Sequence, residues 1–184
     1  MTSSAPATAR RRIRVLVATL LFGLVAPLTL ATPAEARVTV KPRTATEHSI
    51  QNSVLSLLNQ QRRAHGLPAL KMNKRLKVAA RRHNAAMARY NSMAHQVRGE
   101  SSLGRRVDKA GYNWSRVAEN IAWNSRMTRS GVLTLQKLMY NERAPYDGHR
   151  RNILSRSYRE VGIDVYFDKK HRKIWLTTDF GRKG

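Results

Sequence analysis

The chain has 184 residues, a formal net charge of +24 and no cysteine. That length suits one domain with a real core once any targeting segment is set aside, and the lack of cysteine excludes a disulfide framework. Charge on this scale favours polyanionic partners, through counterion release and long-range steering.

Residues 1–36 read as an export signal. Arg10, Arg11, Arg12 and Arg14 form a basic head, Val15 to Ala31 is an uncharged, mostly apolar run, and Ala34-Glu35-Ala36 supplies the small residues of a cleavage site. The expectation is export with cleavage after Ala36, by either the general or the twin-arginine route. An uncleaved anchor is the alternative, but the apolar run is broken by Pro27 and falls short of the ~20 residues that span a bilayer comfortably. Cleavage removes four Arg and one Glu, leaving +21 on the remainder. Outside the cell the available polyanions are wall polymers, acidic polysaccharide, anionic lipid head groups and nucleic acid.

Residues 37–47, with Pro42 and no periodicity, read as a linker to a domain over 48–184. From His48, the recurrence of Ile50, Val54, Leu57 and Leu58 predicts an amphipathic helix ended by Gly66. Leu67 to Leu70 then crosses in extended form, held out of the α region by Pro68. Asn73 caps a second helix with the stripe Leu76, Ala79, Ala80, His83, Met87 and Tyr90, opposite a basic face of Lys74, Lys77, Arg81, Arg82 and Arg89. His83, inside the apolar stripe, reads as a hydrogen-bonded core imidazole. His95 follows the helix in a loop that could turn it toward a cleft.

A short helix is expected at Leu103 to Ala110, ended by Gly111. In Val117-Ala118-Glu119-Asn120-Ile121-Ala122 an acid stands among small and apolar residues, so Glu119 is either exposed on a loop or buried with partners. Thr128 or Ser130 caps a third helix, in which Val132, Leu135, Met139 and Glu142 follow one stripe. Pro145 and the Asp147-Gly148 turn pair separate Glu142 from His149, so a bend must bring the two together. Val161, Ile163, Val165 and Phe167, then Ile174, Leu176, Thr178 and Phe180, alternate at period two and predict an antiparallel hairpin with one buried face and a solvated His171 in its turn. No repeat, heptad or phosphate-binding glycine loop is present. Helices followed by a terminal hairpin predict an α+β domain with helices packed on a small antiparallel sheet.

The segments LLNQQRRAHGLPAL, AARRHNAAMARYNSMAH, GYNWSRVAENIAW, GHRRNIL, VGIDVYF and WLTTDFG, in this order, resemble the CAP superfamily. This is the cysteine-rich secretory, antigen 5 and pathogenesis-related 1 group, here in its cysteine-free bacterial SCP-like form. The resemblance covers about residues 48–182 and implies an α-β-α sandwich whose cleft presents two His and two Glu able to hold a divalent metal. By motif these are His95, Glu119, His149 and Glu142. The sequence departs from the family pattern at Ala118, where a Gly is usual, and at Met139, where a Trp is usual.

Two imidazoles and one or two carboxylates form a ligand set for zinc and similar ions, with water completing an open site; the alternatives are a weak structural or adventitious site, or no metal and a His–Glu hydrogen-bonded network. Three functions follow as expectations. The first is a secreted, monomeric binding module acting at the cell envelope or outside it, engaging an anionic or amphipathic ligand through the His/Glu cleft and basic surface. The second is a metal-assisted hydrolase with His95, His149 and Glu119 as ligands and Glu142 as general base, Glu119 and Glu142 then being its catalytic carboxylates. The third is non-specific extracellular nucleic-acid binding. With no nucleophile beside a base, binding is favoured over catalysis.

Overall fold

The structure, a computed structural model, describes residues 43–184. The expected export signal, and residues 37–42 of the expected linker, lie outside the described residues. Helix α1 (Ala45–Arg63) starts earlier than the periodicity of its apolar positions suggests. Thr44 and Glu47 form a capping box, each side chain satisfying a backbone N–H of the other's end of the first turn. Residues 43–47 therefore belong to the folded domain.

Strand β1 (Lys71–Met72) leads into α2 (Lys74–Tyr90), whose cap is Asn73. Helix α3 (Leu103–Lys109) is followed by β2 (Arg116–Asn124), α4 (Arg129–Tyr140) capped by Thr128, α5 (Gly148–Ile153), β3 (Glu160–Asp168) and β4 (Lys173–Arg182). The sheet order is β1-β3-β4-β2. The expected hairpin is present as β3 and β4, but the sheet is mixed, because β1 runs parallel to β3 while the other pairs are antiparallel. The segment around Glu119 is the edge strand β2, paired along its whole length with β4. Its Glu and Asn interrupt the apolar alternation by which a strand is read.

Helices α1 and α4 cover one face of the sheet. Ile50, Val54 and Leu58 meet Val132, Leu135 and Met139 there, over Val161, Ile163, Val165, Ile174, Leu176 and Phe180. The second face is buried too, contrary to the expected single buried face, because α2 lies directly on it. A Cβ on Gly162 would stand 2.1 Å from the Leu76 backbone, so the bare glycine is what admits the helix. Three local expectations change as well. Leu57 is half-buried at the surface of α1, Tyr90 is 46% exposed at the end of α2, and His171 is bonded through Nδ1 to Asp168 at 2.7 Å.

Candidate functional site

The site is built around β2, whose two faces receive different layers. Val117 and Ile121 pack with the residues of α2 and α3, whereas Ala118 and Ala122 pack against the α1/α4 core. By this alternation Glu119 belongs to the α2/α3 layer. It is buried, and His95 Nδ1 lies 2.9 Å from its Oε1. Its Oε2 accepts from Arg106 of α3, which is also buried and whose Nη1 donates to the His95 carbonyl at 2.6 Å. One guanidinium thus holds both the side chain of the acid and the backbone of the histidine. His83, buried as expected, has Nδ1 2.9 Å from Glu100, and its Nε2 stands 3.6 Å from Glu119 Oε1.

Asn120 belongs to the opposite layer and fixes α5 against the strand. Its Nδ2 donates to the His149 carbonyl at 3.1 Å, and its Oδ1 accepts from Asn152 at 2.8 Å. Glu142 lies past the end of α4, beyond the C-cap Asn141, so its orientation comes from the following bend and not from the helical stripe. There its Oε1 is 2.5 Å from His149 Nδ1 and its Oε2 accepts the His149 backbone N–H at 3.0 Å. The acid satisfies a free N–H at the start of α5 in the same contact that orients the imidazole. Arg150 ties this bend to α4, donating to the Tyr140 carbonyl and lying 4.7 Å over the Tyr140 ring.

His95, Glu119, Glu142 and His149 line one cleft of about 500 Å³, together with Tyr146, Gly148, Arg151 and Asn152. Tyr146 is 88% exposed at its lip. A second depression of about 520 Å³ over α1 and α4 is lined by Ser49, Asn52, Ser53, Gln60, Arg129 and Lys137 among others, and has no acid or imidazole. Within the first cleft the four residues form two His–Glu pairs. No group of three or more His, Asp or Glu among the described residues is gathered around one point as a metal cage. Met139, in place of the family's usual Trp, is buried in the α1/α4 core and does not line the cleft.

The electrostatics of the Glu119 pair are set by burial and close partners. Burial opposes ionisation of Glu119, but the His95 hydrogen bond and the charges of His83 and Arg106 outweigh it and hold the carboxyl below its ordinary value. The same hydrogen bond raises His95. Asp179, opposite Glu119 in the β2–β4 register, is fully buried, and no donor among the described residues reaches either oxygen. Burial, and then the Glu119 charge, push its carboxyl well above the usual range. Sequence reasoning missed Arg106, Glu100 and Asp179. Arg106 carried a faint signal, a basic residue three positions into a short helix after a serine-rich loop, but nothing local distinguishes it from the exposed Arg105 beside it.

Residues 55–180 match the cysteine-rich secretory protein family, CAP, and the chain belongs to that family. An extracellular protein containing an SCP domain from Bacillus anthracis str. Ames is 28% identical, with a TM-score of 0.63 over 78% of this chain and 45% of its own. A cysteine-rich secretory protein from Staphylococcus aureus, SAV1118, shares the fold at 24% identity, with a TM-score of 0.56 over 78% of this chain and 41% of that one. The uncharacterized membrane protein YlbC of Bacillus subtilis is 26% identical over 128 residues, which is 68% of this chain. The chain spans 35% of that relative's length. Among the described residues no helix is long and apolar enough to cross a membrane.

Proposed function

We propose that this CAP-domain protein is secreted and acts at the cell envelope or outside it as a binding protein, holding an anionic or amphipathic ligand in the His/Glu cleft. The observation that carries this reading is where the acids go. Residues 43–184 contain 29 Lys and Arg against ten Asp and Glu. Five of those acids, Glu47, Glu119, Asp164, Asp168 and Asp179, are buried. Glu100, Glu142, Asp147 and Glu160 are half-buried and each holds an internal partner. Asp108 alone among them is exposed, and it accepts from Trp114. The outer surface is therefore almost purely cationic, and a cleft opening onto it attracts anions. Similarity to an extracellular SCP-domain protein supports the location.

The cleft's residues also suit a divalent ion. Each Nδ1 faces a carboxylate, which leaves the Nε2 atoms of His95 and His149 without a hydrogen-bond partner among the described residues, and a carboxylate behind a ligating imidazole is the usual supporting arrangement in zinc sites. His95 and His149 would hold the ion with water, leaving Glu119 and Glu142 to orient them. A bound ion would supply Lewis acidity and an activated water, the chemistry of the alternative reading as a hydrolase with Glu142 as general base. Binding is preferred because no Ser, Thr or Cys lines the cleft and each carboxylate is already committed to a histidine.

The test is calorimetry of the purified protein with zinc, and separately with a glycerol-phosphate polymer, beside His95→Ala/His149→Ala. The expected result is polymer binding that weakens with salt and weakens further in the double variant, with zinc binding lost in that variant. Metal-dependent turnover of a wall, peptide or ester substrate, abolished by Glu142→Gln, would replace the binding reading with the hydrolytic one.

A further inference from the structure

The end of the sheet at the β3–β4 turn carries a surface that the cleft does not use. Lys169, Lys170 and Arg172 are exposed in that turn and hold no ion pair among the described residues. Lys173 follows, its Nζ 4.2 Å over the ring of Trp123 and 5.3 Å from that of Trp175, and donating to Asn91 Oδ1 at 2.7 Å. Trp123 is 39% exposed although it stands in a paired strand. The Lys173–Asn91 bond brings the end of α2 alongside, with Tyr90 and Met93 exposed at 46% and 49% and Arg89 over the Tyr90 ring at 5.7 Å. The acid of the turn, Asp168, is buried and occupied by His171 and by Trp175 Nε1. Five cations and three large apolar side chains thus share one end of the domain, with no exposed carboxylate among the described residues there.

The chain also enters the described fold at this end. Arg43 lies 4.4 Å over Tyr166, and Glu47 accepts the Phe167 backbone N–H. In the sequence eleven residues separate the apolar run Val15 to Ala31 from Arg43.

We propose that this end, centred on Trp123, Lys173 and the turn Lys169-Lys170-His171-Arg172, is a docking surface for an anionic lipid bilayer. The exposed cations meet the phosphate layer, while Trp123 and Tyr90, each with an apolar body and a polar edge, sit at head-group depth. A single-stranded nucleic acid would want flat rings in series along a groove. Here two of the three exposed apolar side chains are capped by cations, and the third is the aliphatic Met93, which matches lipid better than bases. The surface is independent of the cleft, so either reading can fail without the other.

The test uses the full chain with vesicles of phosphatidylglycerol and phosphatidylcholine bearing brominated acyl chains, following tryptophan fluorescence. Quenching is expected on the anionic vesicles in excess of that on phosphatidylcholine alone, and most of the excess disappears in Trp123→Phe, since Trp175 is fully buried and Trp114 stands just before Arg116, which pairs with Arg182 at the opposite end of the sheet. Lys169→Glu/Lys170→Glu raises the lipid concentration needed at least about tenfold. Arg63→Glu/Arg156→Glu makes the same charge change at the far end of α1, where Arg62 binds the Ser155 carbonyl, and shifts it by no more than about twofold. Equal effects of the two double variants, or quenching that survives Trp123→Phe, would overturn the proposal. So would a Lys169→Glu/Lys170→Glu defect seen with a single-stranded oligonucleotide and not with vesicles, which would make the surface a nucleic-acid one.

Discussion

Toward α1 and α4 the central strands present Val161, Ile163, Val165, Ile174, Leu176 and Phe180; toward α2 they present Gly162, Asp164, Thr177 and Asp179. Both faces are dry, yet they are held by different forces. The first is interlocked apolar volume, stabilised by burial and dispersion. On the second, Asp164 receives Arg43 at 2.6 Å, Asn84 at 2.8 Å and Gln51 at 3.3 Å, while Thr177 donates to Asn84 at 2.6 Å. Parallel β1 covers only the start of β3, so Arg43 and Gln51 reach Asp164 past an open strand edge. Burial still keeps Asp164 above its ordinary value despite Arg43. A face of this kind adds less stability per residue, but it can position charge, and Glu119 with its partners lies in the same layer.

The contrast can be broken most forcefully on the apolar side. Phe180→Ala, at a position with no exposure, is expected to cost about 3–5 kcal/mol in chemical denaturation, by nearly the same amount at pH 4 and pH 8. Arg43→Met should cost about 3 kcal/mol near neutrality by leaving Asp164 buried without its cation. That cost should shrink as pH falls, because a protonated Asp164 needs no countercharge. A pH-independent loss in Arg43→Met would show that packing, not charge, governs the polar face.

Asp179 sharpens the comparison in the opposite direction. Its folded pKa is raised above the unfolded value of about 3.9, so folding takes up a proton and this residue's contribution to stability falls as pH rises beyond that point. Asp179→Asn should therefore leave stability unchanged near pH 3 and raise it at pH 8, read from denaturation midpoints at the two pH values. A loss at pH 8 would mean that the carboxylate is stabilised by a partner the geometry does not contain. The smallest effect belongs to the rim: Lys173→Met removes the cation from Trp123 and should cost about 0.5–1 kcal/mol, by the same denaturation assay.

Some parts of this arrangement could be read locally. The stripe of α2 and the alternation of β3 and β4 follow directly from the spacing of apolar residues, because each repeats over several turns or pleats. The start of α1 was also available in Thr44 and Glu47, a capping-box spacing masked by the polar, proline-containing stretch before it. Strand β1 was not legible, since two residues carry no periodicity, and neither was α5, a six-residue helix that follows a bend. The four cleft residues came from the order of motifs, which says who lines a site and not how they meet.

The sequence by itself determined helices α1 to α4, the hairpin, the cationic excess and the identities of His95, Glu119, Glu142 and His149. The bend that joins Glu142 to His149 was legible as well; only the tertiary structure decided that His95 faces Glu119, and that Arg106 and Asp179 flank that pair. Each of the contacts to Glu119 joins the edge strand β2 to a different element, the loop after α2, α3 and β4. Such partners are chosen by the packing of layers, and no local spacing encodes them.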